Sequence, residues 1–159
     1  GSANRNMAAD EEVQSGIEQI AGRINGTFGS FEWQPVSLIS SPIPFKNLVA
    51  YYRSAEIAWI TPLADGMNLV CEEYVASRID GDGVLVLSEF AGASVVLSAA
   101  VITNPFSHRS MDQALTSALD MPEEERRQRM KLLRGAVERN SVTAWAAAQM
   151  AAFGGLGAG

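Results

Sequence analysis

The chain's sequence predicts an α/β fold: an open, mostly parallel sheet with helices on both faces and a helical C-terminal extension. Three observations carry that expectation. Four short runs, residues 35–39, 57–60, 84–87 and 101–103, are continuously apolar rather than alternating, as strands buried on both faces of a parallel sheet are. Segments of helical period separate these runs, which implies right-handed βαβ units. A length of 159 residues with 47% hydrophobic and 19% charged residues suits one soluble domain with a real core.

Each element has a local reason. Asp10 to Arg23 reads as a helix with Asp10 as N-cap and Glu11 and Glu12 in its first turn. Val13, Ile17, Ile20 and Ile24 recur at helical spacing, and Asn25-Gly26 is expected to break the pattern. Pro35-Val36-Ser37-Leu38-Ile39 reads as the first strand. Pro44 suits a helix start, and Phe45, Leu48, Val49 and Tyr52 line one face of that helix. Ile57-Ala58-Trp59-Ile60 is the second strand, followed by a turn at Pro62 to Gly66 and a helix from about Asn68 to Arg78. Asp80-Gly81-Asp82-Gly83 is a strong turn signal. Val84 to Leu87 forms the third strand, Ala91-Gly92-Ala93 opens a short helix, and Val101-Ile102-Thr103 is the fourth strand. Ser110 is expected to cap a helix through Leu119, Pro122 to start another to about Asn140, and Ser141 to cap a last one to about Phe153. Residues 1–7 read as an expression remnant or disordered, residues 8–153 as the structural unit, and 154–159 as a flexible glycine-rich tail.

Composition bounds the partners. A formal net charge of -6 disfavours nucleic acid and anionic membrane surfaces, which call for basic patches. No apolar run reaches the length of a membrane span. A single cysteine, Cys71, fits a reducing cytoplasm and a buried small hydrophobe. One histidine and one cysteine cannot build a zinc site, so no metal is expected, and His108 reads as an exposed loop residue. Trp33, Trp59 and Trp145 read as core or domain-packing aromatics. Glu123 to Arg129, with Arg134 and Glu138, reads as a solvated face with i,i+4 pairs.

In open α/β sheets, ligands bind beyond the carboxyl ends of the strands. The segment after the second strand suits a phosphate-bearing ligand. Gly66 would permit unusual backbone angles and close approach. The N–H groups of Met67, Asn68, Leu69 and Val70 would open a helix and point at an anion. Asp65 before the helix and Glu73 within it supply carboxylates for sugar or ribose hydroxyls.

The stretch Thr61-Pro62-Leu63-x-Asp65-Gly66-Met67-Asn68-Leu69-Val70-x-x-Glu73-Tyr74-Val75-Ala76 closely resembles the signature of the trehalose-6-phosphate synthase and glucosylglycerol-phosphate synthase family of retaining glucosyltransferases. Arg23-Ile24-Asn25-Gly26-x-Phe28-Gly29, Val84 to Ala93, Thr103-Asn104-Pro105-Phe106 and the Met121-Pro122 helices match as well, so the similarity runs from about Ile17 to Phe153. The resemblance implies half of a fold with two Rossmann-like domains facing a cleft. It assigns Asp65 to glucose hydroxyls, Gly66 and Met67 to the loop beside the sugar, and the amides of Asn68, Leu69 and Val70 to the diphosphate. Glu73 would bind the ribose, and Glu89, in the loop after the third strand, lies near the nucleotide. The implied ligand is a nucleotide glucose, UDP-glucose or ADP-glucose, with no cofactor and no metal. Front-face attack by a phosphorylated acceptor is what the family implies, with amides and cations stabilising the leaving diphosphate.

Two positions depart from the pattern: Ala64 stands for the usual Arg and Glu72 for the usual Lys, both lowering positive charge. The family's acceptor domain with its histidine, and the Arg and Lys that clamp the diphosphate, match no segment here. No residue of this chain is therefore expected to be catalytic, and the isolated chain is expected to be inactive. Ala64 and the Ser107-to-Met111 stretch lean towards glucosylglycerol phosphate as product. The alternative expectation is a non-catalytic binding or oligomerising module, with self-association through the surface that would face the absent domain.

Overall fold

A computed structural model describes Ser2 to Asn140, with side chains from Glu11 onward; the helix expected after Ser141, and Trp145 within it, lie outside the described residues. The chain divides into two compact units, residues 1–43 and residues 44–159.

The first unit is dominated by α1 (Ser2–Phe28). Asp10 lies inside this helix rather than capping it, because nothing between Ser2 and Asp10 breaks a helix and a cap contributes only about 1 kcal/mol. Asn25-Gly26 does not stop it either. The helix ends one turn later, where the Gly29 N–H donates to the Asn25 carbonyl at 2.8 Å. The expected strand at residues 35–39 is absent. A strand needs a neighbour to ladder with, and no strand among the described residues pairs with this run. The Asn25 side chain takes the place of a ladder: its Oδ1 accepts the Val36 N–H at 2.9 Å and its Nδ2–H donates to the Val36 carbonyl at 2.8 Å. Leu38 and Ile39 stay exposed.

The second unit is the α/β body. Its order is α2 (Phe45–Ser54), β1 (Ile57–Ile60), α3 (Leu69–Ser77), β2 (Val84–Ser88), a 3-10 turn at Gly92–Val95, β3 (Val101–Thr103), α4 (His108–Leu119) and α5 (Glu123–Arg139). The three strands pair in parallel in the order β1-β2-β3, with Ile57 opposite Val84 and Val86 opposite Val101. All five residues of β2 are buried. Its alternate side chains divide between the two faces. Leu85 and Leu87 join Cys71, Tyr74 and Val75 of α3 and Met130 and Leu133 of α5. Val84 and Val86 join Ala114 and Ala118 of α4. Each Val, Leu and Met among them contributes about 1.5–3 kcal/mol on burial. Helices on both faces explain why Val84 to Leu87 of β2 are all apolar, as expected from the sequence. Trp33 and Trp59, expected as packing aromatics, are 61% and 36% exposed and belong to neither cluster.

The amino end of the sheet is locked by polar contacts. Tyr74, fully buried, donates its hydroxyl to the Ala55 carbonyl at 3.2 Å, and Arg78 donates to the same carbonyl. Burial pushes the Tyr74 phenol up to about 12 and the Cys71 thiol up to about 11, so both stay protonated. Gly83 closes the turn at φ 115°, and a Cβ there would meet the Tyr74 hydroxyl at 2.5 Å. Arg126 forms a two-bonded pair with Asp82 at 2.9 and 3.2 Å, which holds the Asp82 carboxyl down at about 2. The charge run on α5 carries the expected i,i+4 pairs, Arg127–Glu123 at 2.9 Å and Arg129–Glu125 at 2.8 Å. One cap differs from expectation. Ser107, not Ser110, caps α4 by accepting the Ser110 N–H at 3.3 Å. The Ser110 hydroxyl meets the Thr103 hydroxyl at 3.1 Å and accepts the Asn104 N–H at 3.0 Å, tying α4 to the end of β3.

Candidate functional site

Parallel strands deliver their following loops to one edge of the sheet. Thr61 to Asn68 leaves β1 there, and the loop after β2 lies beside it. Backbone bonds join the two. The Asp65 N–H donates to the Phe90 carbonyl at 3.2 Å, the Gly92 N–H to the Asp65 carbonyl at 2.8 Å, and the Ala93 N–H to the Met67 carbonyl at 3.1 Å. The approach is so close that a Cβ on Gly92 would collide with the Gly66 carbonyl oxygen.

The loop is also braced from within. Asp65 Oδ1 accepts the Met67 N–H at 3.0 Å, and Oδ2 accepts the Asn68 Nδ2–H at 2.9 Å. These donors, the Met67 amide foremost, hold the Asp65 carboxyl below its ordinary value. Asn68 sits in the left-handed region at φ 69° and caps α3, its Oδ1 accepting the Cys71 N–H at 3.1 Å. Asparagine tolerates that conformation better than most residues do.

Two expectations change as a result. The unusual backbone angle lies at Asn68, not Gly66, whose φ is ordinary and whose Cβ position faces open space. The Met67 N–H is taken by Asp65 rather than left for an anion. At the start of α3, the Leu69 and Val70 N–H groups have no acceptor among the described residues, as helix N-termini leave them. Their side chains are 58% and 45% exposed.

Glu73 lies four positions beyond Leu69 and three beyond Val70, hence on the same face of α3. It is exposed, and its Oε2 accepts the Tyr52 hydroxyl from α2 at 3.1 Å. Asp65, Gly66, Met67, Asn68, Leu69, Val70 and Glu73 thus form one continuous edge. Glu89 lies in the neighbouring loop, where its N–H donates to the Thr103 carbonyl at 3.0 Å and its side chain is exposed. Next to it, Phe90 meets Phe106 edge to face at 5.4 Å.

Sequence spacing missed two participants. Tyr52 stands 21 positions before Glu73, beyond the reach of any helical or turn pattern. Gly92 is one glycine among 14, and only the contact with Gly66 marks it. No Arg or Lys side chain among the described residues bonds to Asp65, Glu73 or Glu89. A hollow of about 670 Å³, lined by Ile102, Thr116, Asp120, Glu125 and Arg129 among others, does not include these residues. No three His, Cys, Asp or Glu among the described residues group to hold a metal. No described helix is long and apolar enough to cross a membrane.

A profile of glycosyltransferase family 20 matches residues 2–154. The chain belongs to this family. A glucosylglycerol-phosphate synthase from Picosynechococcus sp. is 46% identical over 140 residues, covering 88% of this chain and 28% of the relative. A trehalose-6-phosphate synthase from Mycolicibacterium gilvum is 43% identical over 135 residues, covering 85% and 27%. Among solved structures, an E. coli trehalose-6-phosphate protein bound with UDP-2-fluoro glucose superposes at TM-score 0.82 with 36% identity, covering 90% of this chain and 32% of that one. A UDP-forming α,α-trehalose-phosphate synthase from Burkholderia xenovorans in complex with glucose-6-phosphate gives TM-score 0.82 at 40% identity, covering 91% and 32%. The chain therefore spans about a third or less of the length of these family 20 relatives, and the likeness confirms the α/β fold of that part.

Proposed function

We propose that this chain is the donor-binding part of a family 20 retaining glucosyltransferase, and that the isolated chain does not turn over. The observation that carries this is the spacing along one edge. Asp65 stands before α3, the Leu69 and Val70 amides are unspent at its first turn, and Glu73 follows on the same face. That order suits a hexose, a diphosphate and a ribose in sequence, with carboxylates for hydroxyls and amides for phosphate. UDP-glucose is the donor this reading favours, since one structural relative is UDP-forming and another is bound with a UDP-sugar; ADP-glucose is the competitor. For the acceptor of the whole protein, the relatives that are glucosylglycerol-phosphate synthases, at 46%, 44% and 43% identity, favour glycerol 3-phosphate over glucose 6-phosphate. Catalysis needs both reactants held together, and no described cation bonds to the site's carboxylates. Calorimetric titration with UDP-glucose, ADP-glucose and GDP-glucose tests the binding part. A coupled assay for released nucleotide with glycerol 3-phosphate or glucose 6-phosphate tests the inactivity, and a measured turnover by the pure chain would refute it.

A second reading, a self-associating module, is favoured by one observation. Val13, Ile17 and Ile20, at helical spacing on α1, are 63%, 45% and 52% exposed. Mass in solution distinguishes the two: a stable dimer that dissociates on Ile17→Lys supports it, and a monomer at tens of micromolar removes it.

A further inference from the structure

We propose that Tyr52 is a positioning residue for Glu73: its phenol sets the carboxylate to receive the vicinal hydroxyls of a nucleoside diphosphate's ribose. The inference rests on the donor-site reading of Glu73 and adds to it a residue from another helix.

Glu73 is an exposed side chain with several rotatable bonds, and ordering such a side chain around a ligand costs conformational entropy. Its described partner is the Tyr52 hydroxyl, which donates to Oε2 at 3.1 Å. Tyr52 is itself held. It is half-buried, and its ring meets the Tyr74 ring edge to face at 6.4 Å. Tyr74 follows Glu73 on α3, is fully buried, and donates to the Ala55 and Glu56 carbonyls at the end of α2. The two tyrosines thus tie α2 to α3 beside Glu73, and the phenol is in place before any ligand arrives. A carboxylate offers about four acceptor positions. Tyr52 takes one on Oε2, which leaves both positions on Oε1 and one on Oε2 for a pair of adjacent hydroxyls. Burial, followed by the bond to and charge of Glu73, raises the Tyr52 phenol above its ordinary value, so it remains a donor across the physiological range.

The test compares UDP with 2′-deoxy-UDP (ADP and its deoxy analogue, if the wild-type chain prefers adenine) by calorimetry on the full chain. The expectation is that wild type favours the ribonucleotide. Tyr52→Phe, which keeps the ring against Tyr74, should weaken UDP about five-fold and leave 2′-deoxy-UDP nearly unchanged, so the ratio narrows. A purely structural tyrosine would weaken both alike or neither. An unchanged ratio in Tyr52→Phe, with Glu73→Gln still losing it, overturns the inference and leaves the donor-site reading standing. A wild-type chain that binds neither nucleotide overturns the donor-site reading and the inference with it. The contact has its own readout: NMR titration of 13C-labelled tyrosine should show the Tyr52 phenol titrating lower in Glu73→Gln, and an unmoved titration overturns the inference whatever the nucleotide does.

Discussion

Asp65 and Glu73 are eight residues apart and are held in opposite ways. Asp65 is fixed by its backbone. Phe90, Gly92 and Ala93 bond to its loop, and its own carboxylate closes the turn onto Met67 and Asn68. Glu73 rides on a regular helix, and its carboxylate is steadied by one phenol. Backbone bonds between two loops are hard to lose one at a time, whereas a single side-chain bond is worth about 1 kcal/mol. Damage to the first acid should therefore appear as instability, and damage to the second as altered ligand affinity with the fold intact.

The largest expected effect comes from Gly92→Val. Its Cβ would drive into the Gly66 carbonyl, so the Asp65 loop must move. A loss of about 3 kcal/mol in urea unfolding is expected, and a variant as stable as wild type would mean that the Gly66–Gly92 approach does not fix the Asp65 loop. Asn68→Ala should cost about 2 kcal/mol, combining a lost cap with a left-handed alanine, and Asn68→Gly should restore part of that loss. Glu73→Ala should leave the unfolding midpoint within about 0.5 kcal/mol while weakening nucleotide binding about ten-fold, near 1.4 kcal/mol. The smallest effect is on pH dependence. The folded Asp65 carboxyl is held below its ordinary value, so its contribution to stability is complete above the unfolded value and is lost as pH falls through the folded one. Asn68→Ala removes one of its donors, and NMR titration should then show the Asp65 carboxyl moving back up.

How far the sequence speaks depends on whether an element finds its partners nearby. β2 was legible because both its faces are covered by helices encoded close by, and continuous Val-Leu-Val-Leu is what such a strand requires. Residues 35–39 are also largely apolar, yet no described strand pairs with them. The Asp65-to-Glu73 edge was legible as a segment because a loop and one helix contain it. Its bracing was not. The strained angle passed from the glycine to Asn68 because Asn68 can both cap α3 and bond Asp65. Tyr52 and Gly92 reach the site through tertiary contact alone, which no local spacing encodes.

If a donor half-site is already formed in this chain, titration of the purified chain with UDP-glucose must reveal it. Binding that is lost on Glu73→Ala, with unfolding unchanged, is the predicted result. No heat at millimolar UDP-glucose, ADP-glucose or GDP-glucose from a folded chain would contradict it.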